Sequence, residues 1–97
     1  MDLLNGVDIM SKTDDFLITK QYVLISSYRV KILKAIGEDV KIPTKIAKDC
    51  GIRPNHISKV LGELKKCGLV ECLNEEVRKG RLYRLTDLGL LVFNDLE

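Results

Sequence analysis

Residues 43–62 of this 97-residue sequence, PTKIAKDCGIRPNHISKVLG, predict two short helices joined by a tight turn. Pro43 and Pro54 suit the first turn of a helix, because a backbone N–H at that position has no partner within the helix. Gly51 can take the positive φ that ends one helix and redirects the chain. Apolar residues at helical spacing would hold the two helices together: Ile46, Ala47, Cys50, Ile52, Ile57, Val60, Leu61 and Leu64. The segment therefore predicts a helix-turn-helix.

The flanking sequence predicts one helix before this motif and a hairpin after it. Residues 26–36 have an apolar stripe, a serine at the start that can cap a helix, and Gly37 as a stop. Beyond residue 68 the pattern alternates, and residues 69–73 and 82–86 read as two antiparallel strands around a polar loop. We therefore expect a mainly α fold with a small antiparallel β hairpin.

The last ten residues predict a further helix that Thr86 or Asp87 can cap. Gly89 weakens this prediction, since glycine is a poor residue inside a helix. The apolar residues of this helix could face either the core or a partner: Leu88, Leu91, Val92 and Leu96. The expected architecture is thus a three-helix core, a hairpin and a C-terminal helix.

Four segments, SYRVKILKAIG, IPTKIAKDCGI, HISKVLGELKKCGLVE and GRLYRLTDLG, resemble winged helix-turn-helix transcriptional regulators, especially the ArsR-like and MarR-like proteins. The resemblance covers residues 23–92. It implies sequence-specific binding of double-stranded DNA, with the third helix in the major groove and the hairpin on the minor groove or the backbone. Residues 23–97 would form the DNA-binding domain, and residues 1–22 would be either disordered or part of a dimer interface. Such regulators usually bind as dimers, so we expect a homodimer.

The third helix should expose polar residues near its N-terminus if its apolar residues face inward. Asn55 suits bidentate contact with adenine, Arg53 and Lys59 can reach guanine edges or phosphates, and Ser58 can serve either role. His56 fits an ordinary surface residue first, a DNA contact second and a metal ligand third, because no Cys or His lies three or four residues away on its face.

Two further groups complete the predicted interface. Thr44 and Lys45 begin the second helix and would meet a phosphate, or would serve only as a cap and a solvated lysine. Arg78, Lys79 and Arg81 surround Gly80 at the predicted tip of the hairpin, where they could enter the minor groove or clamp the backbone. A charged, solvated hairpin tip is the alternative interpretation of that cluster. Glu75 and Glu76, just before it, would pair with the arginines or weaken the contact.

The distribution of charge agrees with a duplex-binding surface. The formal net charge is only +2, but residues 53–86 carry eight bases against four acids, while the first 11 and last 11 residues carry acids alone. Contacts with phosphates supply most of the affinity that does not depend on sequence. The same distribution would also suit an ordinary mixed-charge surface.

Several other classes of protein find little support in the sequence. No apolar run approaches the length that spans a membrane, and the acidic start differs from a secretory signal, so we expect a cytoplasmic protein. There is no Gly-rich phosphate loop or paired nucleophile, so we expect no enzyme and no cofactor. Two alternatives stay open: a winged helix that binds proteins of the transcription or RNA-processing machinery, and a regulator that senses metal or redox state through Cys50, Cys67 and Cys72.

Overall fold

The computed structural model describes residues 16–96, which form five helices and one two-stranded sheet. Residues 16–24 are helical and form α1. The remaining elements are α2 (Ser27–Ile36), α3 (Pro43–Cys50), α4 (Pro54–Lys66), β1 (Val70–Cys72), β2 (Tyr83–Leu85) and α5 (Asp87–Asn94). The predicted order of three helices, a hairpin and a final helix is confirmed. Disorder or a dimer interface was predicted for residues 1–22; of these, residues 16–22 belong to α1, and residues 1–15 lie outside the described residues.

The turn between α3 and α4 has the predicted construction. Pro43 and Pro54 occupy the first turns of their helices. Gly51 ends α3 with φ 71° and ψ 24°, which is the left-handed conformation, and its N–H donates to the Ala47 carbonyl oxygen. Ile52 follows as a buried residue that fills the corner. Because these signals are local, the sequence alone was enough to predict them.

The sheet is a short antiparallel hairpin tied to the loop before α3. Val70 pairs with Leu85 and Cys72 with Tyr83. Lys41 adds an isolated bridge to Tyr83, with N–O distances of 3.0 Å and 2.9 Å in the two directions. The bridge fixes the start of α3 beside the hairpin, so the helix-turn-helix and the hairpin have a defined relative position.

One hydrophobic core joins all the helices and both strands. Its buried side chains belong to every described element or its flanks: Val23, Ile32, Leu33, Ile36, Ile46, Ala47, Ile52, Ile57, Val60, Leu61, Leu64, Leu69, Val70, Leu85 and Val92. The described part of the chain buries no polar or charged residue to the same degree. All the apolar positions predicted to join α3 and α4 are in this set except Cys50, which is half-buried against it.

The helix α1 packs on the body of the domain, although its sequence fits neither a helical nor an alternating period cleanly. Val23 is fully buried, and Lys20 pairs with Asp95 beyond the end of α5. The Arg29 guanidinium lies 3.6 Å from the centre of the Tyr22 ring and donates to the Tyr22 carbonyl oxygen at 2.7 Å. Burial raises the pKa of the Tyr22 hydroxyl, and the neighbouring Cys67 adds to the rise.

Thr86 caps the helix α5, as predicted, and Gly89 has a packing role that the sequence did not indicate. The Thr86 hydroxyl accepts a hydrogen bond from the Gly89 N–H at 3.1 Å. A Cβ at Gly89 would overlap the Leu69 carbonyl oxygen and lie 3.1 Å from the Leu85 Cβ. Glycine therefore lets α5 contact the backbone that leads into β1.

Among the helices in the described range, none has both the length and the apolar character needed to cross a lipid bilayer.

Candidate nucleic-acid interface

The helix α4 presents a polar face to solvent, as predicted. Its inward side chains are Ile57, Val60, Leu61 and Leu64. Its exposed residues include Asn55, His56, Ser58, Lys59 and Gly62, and Arg53 just before the helix is also exposed. The first turn of α4 and Arg53 are thus free to meet a ligand from outside. Their roles in DNA contact stay predictions.

A groove of about 590 Å³ lies between the start of α3, the outer face of α4 and the loop of residues 74–82, which we call the wing. Thr44 and Ser58 line it from the two helices, and Arg78, Lys79 and Arg81 line it from the wing. The structure therefore brings together five of the ten predicted contact residues. Four other predicted contact residues lie on α4 or just before it, but they do not line the groove: Arg53, Asn55, His56 and Lys59.

The groove has a consistent sign of charge. No acidic residue lines it, and four basic residues do: Lys65, Arg78, Lys79 and Arg81. A second concavity, next to the start of α5, has the opposite character, since Glu38, Asp39, Glu71 and Asp87 line it with only Arg84 as a base. The folded chain therefore separates a cationic surface from an acidic one, which the net charge of +2 conceals.

At the start of α3, the exposed side chain of Lys45 forms an ion pair within its own helix. Its ammonium lies 3.1 Å from Asp49, and Lys41 donates to the other oxygen of the same carboxylate at 2.8 Å. The hydrogen bonds from Lys41 and Lys45 hold the pKa of Asp49 below its ordinary value of 3.8. Thr44 is exposed one residue before Lys45. No hydrogen bond from a side chain caps α3, so its first backbone N–H groups have no side-chain acceptor.

Hydrogen bonds within the wing give it a defined shape. The Asn74 side chain accepts from the Leu82 N–H at 2.7 Å and donates to the Gly80 carbonyl at 3.1 Å. The Arg81 guanidinium donates to the Val77 carbonyl at 2.6 Å and to the Glu75 carbonyl at 3.2 Å. Arg81 thus stabilises the loop through hydrogen bonds to its backbone, whereas the sequence predicted a contact with DNA, as for Arg78 and Lys79.

The tip of the wing is basic, as predicted. Arg78, Lys79 and Gly80 are all exposed. Gly80 has φ 72°, a value that favours glycine over any residue with a Cβ. Of the two roles that the sequence left open for Glu75, an ion pair with the wing arginines is not formed, because the Glu75 carboxylate pairs with Lys65 of α4. Lys65 also lines the groove, a role that no sequence pattern indicated.

His56 and Gly62 each have a structural setting that bears on their predicted roles. His56 is exposed and meets Tyr28 in an edge-on contact, with ring centroids 5.7 Å apart. A Cβ at Gly62 would meet no atom within 4 Å, so glycine does not relieve packing there. Gly62 instead leaves an open stretch of α4 on the wall of the groove.

The three cysteines are free thiols, and each is half-buried. Cys50 lies 3.8 Å from the Ala47 carbonyl oxygen, and Cys72 lies 3.7 Å from the Asn74 side chain. Within residues 16–96, no three His, Cys, Asp or Glu side chains are grouped so that they could hold a metal ion. The metal-sensing alternative therefore gains no support from side-chain clustering in this range.

Comparison with known proteins finds similar structures but no similar sequence. No model of a protein family matches the chain, and no curated protein matches it. An apo mutant form of ZitR from Lactococcus lactis is 24% identical with a TM-score of 0.61, over 98% of this chain and 70% of that one.

Two further solved structures have the same architecture. Mb0332 from Mycobacterium bovis is a homodimeric winged helix-turn-helix DNA-binding domain, described as a possible ArsR-family transcriptional regulator. It is 24% identical with a TM-score of 0.67, over 92% of this chain and 82% of that one. The MarR family transcriptional regulator SPO1453 from Silicibacter pomeroyi is 18% identical with a TM-score of 0.57, over 93% and 67%. At these identities the comparison establishes the fold, and the chain is a winged helix domain.

Proposed function

We propose that this protein binds double-stranded DNA in a sequence-specific manner and regulates transcription as a homodimer. In this proposal, α4 enters the major groove with its N-terminal end, and the wing meets the minor groove or the flanking phosphates. Asn55, Arg53 and Lys59 would contact base edges, while Thr44 and Lys45 would contact the backbone. We propose no catalytic role and no cofactor.

The observation that carries the proposal is the groove without acidic residues between α4 and the wing. Its basic residues come from two elements, α4 and the wing, that are separate in sequence and adjacent in the fold. A polyanion that followed α4 could meet the wing cations at the same time, and each phosphate contact would release counterions. The named regulators of the same fold make this use of the groove the favoured one.

A protein-docking role would need a different surface on α4. Docking surfaces have an apolar centre, often with aromatic residues. Apart from Pro54 in the first turn, the exposed part of α4 consists of polar, charged or glycine residues, and its other apolar residues are buried. The composition of this face therefore favours nucleic acid over a protein partner.

The proposed second copy would pack against the outer face of α1 and the adjoining part of α5. Leu17, Ile18 and Leu24 are exposed on α1, and Ile25, directly after α1, is 76% accessible. Leu91, 58% accessible, lies one turn before Asp95, which pairs with Lys20 of α1. We place the interface at these exposed apolar residues, because large apolar patches on a protein surface often mark sites of association. Val92, for which the sequence left the core and a partner as alternatives, is fully buried.

The test of DNA binding is a salt series on duplexes selected from a random pool. We expect affinity that falls steeply as salt rises, with a slope that reflects several neutralised phosphates. Lys59→Glu should weaken binding by roughly tenfold or more, since it replaces one cation by an anion at the duplex. The thermal midpoint should change little, because Lys59 is exposed.

The matched control is Lys34→Glu, which makes the same change of charge on another surface. Lys34 is an exposed residue of α2 and lines a concavity beside the C-terminal end of α3, away from the groove. It should weaken binding much less than Lys59→Glu does. Absence of duplex binding at low salt, affinity that ignores salt, or equal losses for the two variants would each contradict the proposal.

A further inference from the structure

We propose that the ion pair between Lys65 and Glu75 tethers the wing to the recognition helix α4, so that both are positioning residues for the DNA contact. This inference rests on the proposed function, because it names the contact that keeps α4 and the wing in a fixed relative position for DNA binding. Lys65 lies in the last turns of α4, and Glu75 lies at the root of the wing. The ammonium of Lys65 donates to the carboxylate of Glu75 across the side of the groove.

Lys65 is suited to this task by its place on the helix. It follows Ser58 by seven residues and Gly62 by three, so the three residues lie along one face of α4. All three line the groove. A side chain that bonds to the wing from this face sets the width of the groove directly.

The two groups influence each other in the direction expected of a formed pair. The hydrogen bond from Lys65 lowers the pKa of Glu75, and the hydrogen bond to Glu75 raises the pKa of Lys65. Both side chains are partly exposed, so the pair contributes little to the stability of the fold. Its effect is on the position of the wing.

The wing can transmit this restraint because it is internally braced. Asn74 joins its two ends, and Arg81 bonds to the carbonyls of Val77 and Glu75. Holding Glu75 therefore also holds the exposed tip residues Arg78 and Lys79. Without the pair, the hairpin would still be joined to the body at β1 and β2, but the tip could move away from α4.

The tether predicts that neutralising Glu75 changes duplex affinity in the direction opposite to that expected from charge alone. An acidic residue near DNA normally repels phosphates, so its neutralisation should strengthen binding. If Glu75 instead positions the wing, Glu75→Gln should weaken duplex binding, although it makes the protein more positive. We expect a loss of roughly two- to fivefold, the range of an exposed ion pair.

The adjacent residue supplies the matched control. Glu76 is exposed and forms no ion pair in the described part of the chain. Glu76→Gln makes the same chemical change one residue away, and it should leave the affinity unchanged or raise it slightly. Binding by Glu75→Gln that equals or exceeds that of the wild type would overturn the tether.

A double-mutant cycle on duplex affinity tests whether Glu75 acts through Lys65. In a Lys65→Met background the pair is already absent, so Glu75→Gln should cause no further loss. An equal loss from Glu75→Gln in both backgrounds would mean that Glu75 acts independently of Lys65, and it would refute the inference.

A measurement on the free protein separates the tether from DNA binding. Amide hydrogen exchange should be faster at Val77 and Leu82 in Glu75→Gln than in the wild type or in Glu76→Gln, because a released wing opens more often. Unchanged exchange would refute the tether even if the protein binds DNA. A wild-type protein that binds no duplex, but whose wing exchanges faster in Glu75→Gln, would refute the proposed function and leave the structural restraint in place.

Discussion

Replacing Gly89 with alanine should destabilise the fold, although alanine is the better helix former. In an exposed helix interior, the change from glycine to alanine stabilises by about 1 kcal/mol. At Gly89 the new Cβ would overlap the Leu69 carbonyl oxygen and crowd the carbonyl carbon of Leu69 and the Leu85 Cβ, each 3.1 Å away. Because the obstacle is backbone, a change of rotamer cannot remove it.

The expected loss in the free energy of unfolding can be estimated from this overlap. The new Cβ would lie 2.1 Å from the Leu69 carbonyl oxygen, so α5 would have to withdraw by roughly 1.3 Å or more to reach ordinary van der Waals separation. Overpacking of this kind costs about 1–3 kcal/mol, and a weakened cap at Thr86 adds about 1 kcal/mol. After the gain in helix propensity, we expect a net loss of about 1–3 kcal/mol in the free energy of unfolding, which lowers the thermal midpoint by roughly 5–20 °C.

Gly62→Ala is the matched control, since Gly62 is also inside a helix but a Cβ there meets nothing within 4 Å. This variant should raise the free energy of unfolding by about 0.5–1 kcal/mol. Urea unfolding of both variants, followed by circular dichroism, measures the two changes. A Gly89→Ala protein as stable as Gly62→Ala would refute the close approach of α5 to Leu69.

Two further predictions concern acid stability and assembly. The pKa of Asp49 is lowered by hydrogen bonds from Lys41 and Lys45, so its stabilising effect is present above its ordinary value of 3.8 and is lost as the pH falls through the lower folded value. Asp49→Asn should therefore have a lower free energy of unfolding than the wild type in urea at neutral pH, and the two values should converge as the pH falls. A difference in the free energy of unfolding that stays constant down to about pH 2 would contradict this assignment. Ile25→Asp places a charge on the proposed apolar interface, so it should raise the dissociation constant of the dimer at least roughly tenfold in sedimentation experiments. Leu73→Asp, on the hairpin, is the control and should leave the dissociation constant unchanged. A dimer unaffected by Ile25→Asp would exclude the interface at α1 and Ile25.

The candidate interface could be predicted in part. The polar face of α4 follows from helical periodicity, since fixing the apolar residues inward leaves Asn55, Ser58 and Lys59 outward. The role of Arg81 could not be read in this way. Its charge suggested an outward contact, but the carbonyls of Val77 and Glu75 become its acceptors only when the wing is folded.

Apart from α1, the sequence by itself determined the elements and most of their ends. Proline at the start of α3 and α4, glycine after α3, and hydroxyl caps at Ser26 and Thr86 act within a few residues of themselves. Such signals depend on the backbone of the same turn, so they work before any tertiary contact exists.

Tertiary structure alone decided the contacts between elements. The pairing of Lys65 with Glu75, the glycine requirement at Gly89 and the packing of α1 through Val23 all join parts of the chain that approach only in the folded domain. Their geometry depends on where helices and strands cross, which no local pattern encodes. The groove between α4 and the wing is a product of that crossing, and its charge became visible only there.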